Sequence, residues 1–256
     1  MKLSIIVPVF NEALFLRRCL DSIILPEDVE AIIIDDGSTD GSSEICDEYK
    51  DRFRVIHQAN SGVSAARNEG IKHSSGEFIT FLDSDDRIFD GGIETMIEAI
   101  RQYGNKYELI QFNHYRQNSA GELTIRRKNA PGEFMAAKPP VLFCYVWNKI
   151  YKREFIEKHK ITFIPGMNYG EDEIFNLLCL YHTGKLMNYF EPVVVHHFDN
   201  SLSLAKTVTA DGLIKMSEEI HQILKLKNKP QGFDSMIRQL LADVWNSNTY
   251  KRIFNG

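Results

Sequence analysis

The stretch Gly76-Glu77-Phe78-Ile79-Thr80-Phe81-Leu82-Asp83-Ser84-Asp85-Asp86 is an apolar run that stops in three carboxylates. Residues 78–82 are short, aromatic and β-branched, the composition of a strand buried on both faces, as parallel strands in α/β proteins are. The acids then stand at its carboxyl end, and in open parallel sheets that edge is where ligands bind. Asp83 and Asp85, one residue apart, can present oxygens to one hard cation and to whatever it carries, a metal-bridged diphosphate above all. An Asp-rich turn or helix cap would use the same letters for a purely structural purpose.

Working upstream, residues 3–10 form an apolar, β-rich run whose Pro8 belongs at a strand end or sheet edge. Asn11 is placed to cap a helix with Glu12 in its first turn, and Leu16, Cys19, Leu20 and Ile23 follow at helical spacing. Residues 29–34 repeat the buried-strand pattern and end in Asp35-Asp36-Gly37-Ser38, before a helix marked by Ile45, Cys46 and Tyr49. A third strand at 54–57 leads to a helix over 62–71. Three successive strand–helix units imply right-handed crossovers and a parallel sheet with helices on both sides, a nucleotide-binding architecture by topology.

Downstream, Ile93, Met96, Ile97 and Ile100 define another helix. Residues 109–116 and 122–127 read as a hairpin joined by Asn118-Ser119-Ala120-Gly121. Residues 128–140, with Pro131, Gly132, Pro139 and Pro140, read as a loop. Strand character returns at 146–151, before a short helix near 153–159. The loop Pro165-Gly166-Met167-Asn168-Tyr169-Gly170 runs into Glu171-Asp172-Glu173 and a helix carrying Ile174, Phe175, Leu177, Leu178 and Tyr181. A last strand is expected at 193–196, then amphipathic helices over 211–227 and 233–246, parted by Pro230-Gln231-Gly232.

The 256 residues suffice for one large α/β domain, or one domain with an appendage. With 30 Lys and Arg against 35 Asp and Glu, the formal charge of -5 argues against a nucleic-acid binder held by phosphate contacts. Cys19, Cys46, Cys144 and Cys179 show no C-x-x-C spacing, so neither a zinc site nor a disulfide framework is indicated, and a reducing cytosol fits. No apolar run approaches a membrane span and the N-terminus lacks a signal-peptide layout. The expectation is a soluble, cytoplasmic chain. The basic run Lys225-Leu226-Lys227-Asn228-Lys229 could touch anionic lipid at the inner face of the cell membrane, although a solvated helix end accounts for it equally simply.

Asp35-Asp36-Gly37-Ser38-Thr39-Asp40 sits where a carboxylate could bond a base or ribose while Gly37 turns the chain; an Asx turn with a Ser or Thr cap is the structural alternative. No G-x-x-x-x-G-K-[ST] loop and no G-x-G-x-x-G after the first strand is present, which disfavours ATP on a P-loop and a dinucleotide fingerprint. A haloacid-dehalogenase-like phosphatase would need a nucleophile two residues before Asp36, where Ile34 stands.

Four stretches together resemble the family 2 glycosyltransferases with a GT-A type fold: Ser4-Ile5-Ile6-Val7-Pro8-Val9-Phe10-Asn11-Glu12, Asp35-Asp36-Gly37-Ser38-Thr39-Asp40, Asn60-Ser61-Gly62-Val63-Ser64-Ala65-Ala66-Arg67-Asn68 and Phe81-Leu82-Asp83-Ser84-Asp85-Asp86. The resemblance is strong over residues 1–100, moderate over 145–205 and slight in the tail. It implies a Rossmann-like, mostly parallel sheet flanked by helices, with 1–105 as nucleotide-sugar half, 106–205 as acceptor half and 206–256 as a C-terminal helical extension. It also implies that Pro8, Phe10 and Glu12 line a nucleotide pocket, that Asp36 bonds uracil, and that Asp83, with Ser84, lies by the ribose. Asp85 would coordinate Mn or Mg on the diphosphate of a UDP-sugar, Arg67 would approach the diphosphate or ribose, and His197 is a candidate further metal ligand. A helix-surface arginine bonding a neighbouring acid is the plainer reading of Arg67, as a hydrogen-bonded structural residue is of His197.

Gly170-Glu171-Asp172 resembles the family's later acidic motif, which makes Asp172 the catalytic base of an inverting transfer. An attacking hydroxyl must lose its proton to a carboxylate within hydrogen-bond reach. A helix N-terminus favours the ionised carboxylate and weakens it as a base, so an apolar wall from Trp147 or Tyr169 is expected to offset this. Simple helix capping is the competing account. Trp147-Asn148-Lys149 also resembles a family segment in which Trp stacks on a sugar, unless Trp147 is only core. In Val193-Val194-Val195-His196-His197 the chain departs from the family pattern, lacking its usual tyrosines and arginine. The implied partners are a nucleotide sugar and a saccharide or lipid-linked saccharide acceptor. A sugar nucleotidyltransferase would also use a parallel sheet and metal-binding acids, but with a Gly-rich, basic loop after the first strand, where this chain has Pro8-Val9-Phe10-Asn11-Glu12. A carbohydrate-binding relative without catalysis is the third reading.

Overall fold

A computed structural model describes residues 2–126, 131–135, 145–167, 169–197 and 209–246. The expected Cys144, the hairpin's Arg127, most of the 128–140 loop and the Asp199 to Ser203 segment lie outside them. The first strands are built from residues with no polar face. In β1 (Leu3–Val9) every residue is buried, and it pairs in parallel with β2 (Val29–Asp35) on one side and β4 (Phe78–Phe81) on the other. β3 (Arg54–His57) extends the parallel set beyond β2. The order β3-β2-β1-β4-β9 (Lys149–Lys152)-β6 (Leu109–Gln117)-β10 (Lys185–His197)-β5 (Arg87–Ile88) places β1 where the winding reverses.

Alternate residues of these strands feed two cores. Leu3, Ile5, Val7 and Val9 pack with α1 (Ala13–Asp21), α2 (Ser42–Glu48) and α4 (Gly92–Tyr103), whereas Ile6, Ile32, Ile34, Ile79 and Phe81 face the opposite core. That second core takes α3 (Val63–His73), α5 (Arg153–His159), α6 (Glu171–Thr183), α7 (Ala210–Leu224) and α8 (Phe233–Asn246). α3 lies close on β1 at Gly70, where a Cβ would meet Ile6 Cγ2 at 2.2 Å. The helices of the tail belong to this core: Met216, Ile220, Ile223, Phe233 and Ile237 are buried in it. Met216 also fills the hollow at Gly170, where a Cβ would stand 2.5 Å from its Sδ.

Past β4 the sheet becomes mixed. β9 (Lys149–Lys152) runs antiparallel between β4 and β6 (Leu109–Gln117), and β10 (Lys185–His197) runs parallel to β6. β6 forms the expected hairpin with β7 (Leu123–Arg126).

Several details differ from the sequence expectation. Pro8 lies one residue before the end of β1, as expected, although β1 is a central strand of the sheet. β4 ends opposite Ile6, with the Leu82 N–H donating to the Ile6 carbonyl, so Pro8 faces the same side of β1 beyond the end of β4 and no ladder bond is lost. Asn11 does not cap α1. It adopts φ 53, and its side chain accepts from the Thr39 N–H at 2.7 Å. The last strand begins at Lys185 rather than Val193, passing through an irregularity around Pro192 that hid its first half, and β9 starts at Lys149 rather than at 146. Two short strands were not expected: β5 (Arg87–Ile88) and, inside the 128–140 loop, β8 (Gly132–Met135), each recruited by pairing with β10. No helix among the described residues is long and apolar enough to cross a membrane. In the basic run Lys229 pairs with Asp234 at 2.8 Å and donates to the Leu224 carbonyl, as a helix end requires.

Candidate active site

The turn after β1 and the turn after β2 are stitched together at the carboxyl edge of the sheet. Asn11 N–H donates to Ser38 Oγ at 3.1 Å, Glu12 N–H to Ser42 Oγ at 2.9 Å and Ala13 N–H to Asp40 at 3.0 Å. Pro8 is buried beneath this turn, Glu12 is half-buried, and Phe10 stands 43% exposed at its rim.

The Asp35-Asp36 pair is buried. Asp36 accepts from Gln58 Nε2 at 2.6 Å, Ser61 N–H at 2.9 Å and Gly62 N–H at 2.7 Å, which holds the loop that opens α3. A carboxylate offers about four acceptor positions, and these three donors fill most of them. Asp35 accepts from Ser38 N–H, the Ser43 hydroxyl and His57. Burial works against its charge, but those hydrogen bonds prevail and its pKa falls below the ordinary value.

At the end of β4 the three acids part ways. Asp86 is fully buried and serves as a peg: it accepts from the His197 N–H at 2.7 Å and bonds His196 Nδ1 at 3.1 Å, tying the acidic turn to the end of β10. Burial raises its pKa. Ser84 is buried, and Asp83 and Asp85 are half-buried. The Asp85 carbonyl is held by Arg18 at 2.7 Å, and the His197 ring lies 5.1 Å from that of Phe15 on the same helix. Asp83 turns away, to Arg67.

Arg67 is the hub of the site. It is 3% exposed, inside the fold rather than on a helix surface, and the Phe163 ring lies 5.3 Å from its guanidinium carbon. Nη2 donates to Asp83 at 2.9 Å, while Nη1 donates to Asp172 at 2.6 Å and to Glu171 at 3.2 Å. One cation thus joins the acidic turn of β4 to the first turn of α6. Asp172 also accepts the Val146 N–H at 3.1 Å.

One positive charge does not neutralise three carboxylates. Burial raises the pKa of Asp172, Arg67 pulls it down, Glu171 and Asp83 push it up again, and the balance is a carboxyl at about 7. The offset to the helix terminus, expected from an apolar wall, comes from burial and neighbouring acids. Trp147 is 2% exposed, packed in the core with His196 at 5.0 Å and Tyr145 at 4.8 Å, so its burial rather than a sugar accounts for it. Asn176, one turn beyond Asp172, holds the Tyr145 carbonyl at 3.2 Å, and the buried Lys149 ammonium donates to the same carbonyl.

The expected residues therefore gather on one rim, with Phe10, Glu12 and Asp36 at the ends of β1 and β2, Asp83, Ser84 and Asp85 at β4, and Arg67 reaching Asp172. Among the described residues no three His, Cys, Asp or Glu side chains converge on a point where a cation would sit. Sequence reasoning missed Glu171 as a third partner of Arg67, and the Asp86–His196 pair. The burial of Ser64, Arg67 and Gly70 at steps of three along α3 is the one signal that marks Arg67 as inward-facing.

A profile described as Glycosyl transferase family 2 matches residues 4–160. The chain belongs to glycosyltransferase family 2. Its family 2 relatives include the uncharacterized glycosyltransferase EpsJ of Bacillus subtilis, 34% identical over 194 residues that cover 68% of this chain and 54% of EpsJ. Glycosyltransferase GlyA of Streptococcus pneumoniae is 42% identical over 193 residues, 68% of this chain and 27% of GlyA. The chain thus spans about half or less of the length of these relatives. The Staphylococcus aureus TarS fragment solved with UDP-GlcNAc superposes with a TM-score of 0.78 at 20% identity, over 96% of this chain and 72% of that one. The mannosyltransferase PcManGT of Pyrobaculum calidifontis, solved with GDP-Man and Mn2+, superposes with a TM-score of 0.67 at 14% identity, over 97% of this chain and 71% of that one. The fold of this family 2 member is accordingly of GT-A type.

Proposed function

We propose that the chain transfers a sugar with inversion from a nucleoside-diphosphate sugar, of the UDP class, to a hydroxyl of a saccharide or lipid-linked saccharide. The observation that carries this reading is the Arg67 clamp, one buried guanidinium that holds Asp172 at 2.6 Å and Asp83 at 2.9 Å; burial and the neighbouring acids there push the Asp172 carboxyl up to about 7. A base titrating near the working pH combines a useful ionised fraction with real proton affinity. In the step itself Asp172 accepts the hydroxyl proton, the acceptor oxygen forms its bond to the anomeric carbon, and the bond to the diphosphate oxygen breaks with its electrons leaving on the nucleotide. Pro8, Phe10, Glu12 and Asp36 bind the nucleoside, Asp83 and Ser84 the ribose side, within residues 1–105. Residues 106–205 receive the acceptor, and 206–256, with helices at Ala210–Leu224 and Phe233–Asn246, are a C-terminal extension.

The donor set suits Mn2+ or Mg2+: Asp85 offers hard oxygen, His197 stands at the same helix face, and diphosphate oxygens and water would complete the shell. Such a cation supplies Lewis-acid charge at the leaving diphosphate. The nucleotide-sugar complexes of the structural neighbours support this class of donor, and a relative described as a poly(ribitol-phosphate) beta-glucosyltransferase supports a hydroxyl-rich acceptor. A donor of this class and the absence of a spanning helix among the described residues favour a cytoplasmic site of action.

The test is Asp172→Asn, assayed by release of nucleoside diphosphate from a panel of nucleotide sugars, with transfer to water standing in for the acceptor. Turnover should fall by orders of magnitude while calorimetric UDP affinity stays within about twofold. Undiminished turnover would remove Asp172 as the base, and donor binding without turnover in the wild type would favour a non-catalytic carbohydrate binder.

A further inference from the structure

The acidic turn is shaped by a helix that none of the recognised motifs includes. Phe15, Arg18, Cys19 and Ser22 follow at i, i+3, i+4 and i+7, so they share one face of α1 and its C-cap. Three of them pin the backbone of the turn at successive points. The Cys19 thiol donates to the Asp83 carbonyl at 3.6 Å, the Arg18 guanidinium donates to the Asp85 carbonyl at 2.7 Å, and Ser22 Oγ accepts the Ile88 N–H at 3.0 Å. Ser22 is itself fixed by donating to the Cys19 carbonyl at 2.6 Å. The fourth, Phe15, meets the His197 ring at 5.1 Å and lies 5.3 Å from the Arg18 guanidinium carbon. One helix face therefore touches both residues assigned to the cation, although they are far apart in the chain.

We propose that this face of α1 is the template of the cation site, and that Arg18 is the positioning residue of Asp85. The inference rests on the reading of Asp85 as a metal ligand. The carbonyl of Asp85 carries the one charged pin of the three, and a hydrogen bond from an ionised donor is about twice as strong as a neutral one. Beyond that carbonyl, the Arg18 guanidinium lies over the Phe15 ring of its own helix. Fixing the peptide at Asp85 limits where its carboxylate can reach. Without the pin the side chain samples positions that do not bind, and the population able to take the cation shrinks.

A cation near a guanidinium is repelled, which opposes this effect. The guanidinium bonds the main-chain carbonyl rather than the carboxylate, and solvent at the half-buried rim screens the repulsion. Loss of positioning is expected to dominate.

The experiment titrates Mn2+ into the full chain with UDP and reads UDP affinity by calorimetry and bound Mn2+ by electron paramagnetic resonance. Wild type, Arg18→Met, Arg18→Lys and Asp85→Ala are compared, each checked by thermal melting. Arg18→Met should raise the Mn2+ concentration for half-saturation by roughly 10- to 100-fold, as loss of a residue that orients a metal ligand does. UDP affinity without metal should be unchanged, and Arg18→Lys, which keeps a cationic donor, should restore most of the loss. Unchanged or tighter Mn2+ binding in Arg18→Met, beside a clear loss in Asp85→Ala, would overturn the inference and leave the metal reading intact. A fall in metal-free UDP affinity would also overturn it, by showing that Arg18 contacts the nucleotide itself. A wild type with no Mn2+-dependent gain would remove Asp85 as a ligand and the inference with it.

Discussion

Arg67→Met is the most discriminating perturbation of the site, because it removes the cation while keeping much of the buried volume. Asp172 is held 2.6 Å from Nη1, and Arg67 is the main influence opposing burial and the two other carboxylates. An opposite charge at this range is worth roughly 1 to 3 pKa units. Its loss should move Asp172 from about 7 upward by that amount. As the proposed base, Asp172 would work ionised, so the acid limb of kcat should move to higher pH in step. At about pH 7.5 the ionised fraction falls by a factor between about 3 and about 200, and the rate should recover as the pH approaches 10. The assay is kcat against pH at saturating donor, reading nucleotide release. Asp83→Asn serves as the converse, since deleting one competing acid should move the limb below that of the wild type. An acid limb that stays near 7 or falls in Arg67→Met, in protein that melts cooperatively, would refute the claim that Arg67 sets the proton affinity of the base.

Two further outcomes concern stability. A carboxyl raised to about 7 binds its proton more tightly in the fold than in the unfolded chain, so stability falls as the pH climbs from about 4 to about 7. Asp172→Asn should therefore melt higher than wild type at about pH 8, by an amount on the order of 1 to 4 kcal/mol, and lose that advantage at about pH 4.5; equal destabilisation at both values would contradict it. Gly70→Ala places a methyl 2.2 Å from Ile6 Cγ2 and should lower stability in urea by about 1 to 3 kcal/mol; a loss below about 0.5 kcal/mol would mean that α3 withdraws freely from β1.

What could be read in the chain were the features that local chemistry decides. β1, β2 and β4 announce themselves because both of their faces are buried, and the acids at their ends follow from where the apolar letters stop. Pro8 marked the end of β1, but its place in a central strand depends on how far a neighbouring strand runs, which no local rule contains. β5 and β8 are too short to carry a pattern and exist through the pairing of β10. At the site the acids could be named one by one, whereas the clamp that joins Asp83 to Asp172 could not: Arg67 meets one acid 16 positions away and another 105 positions away. Asp86 looked like its neighbours and turned out to be a structural peg, because burial distinguishes it and residue type does not.

Met216 seated under Gly170 gives the tail a task that its weak resemblance to the family conceals. Gly170 precedes the helix that carries Asp172, so a chain cut after residue 209 would strip the support from beneath that carboxylate and expose an apolar flank of α6. Exchange of tails between related proteins would then alter the surroundings of Asp172 as well as solubility.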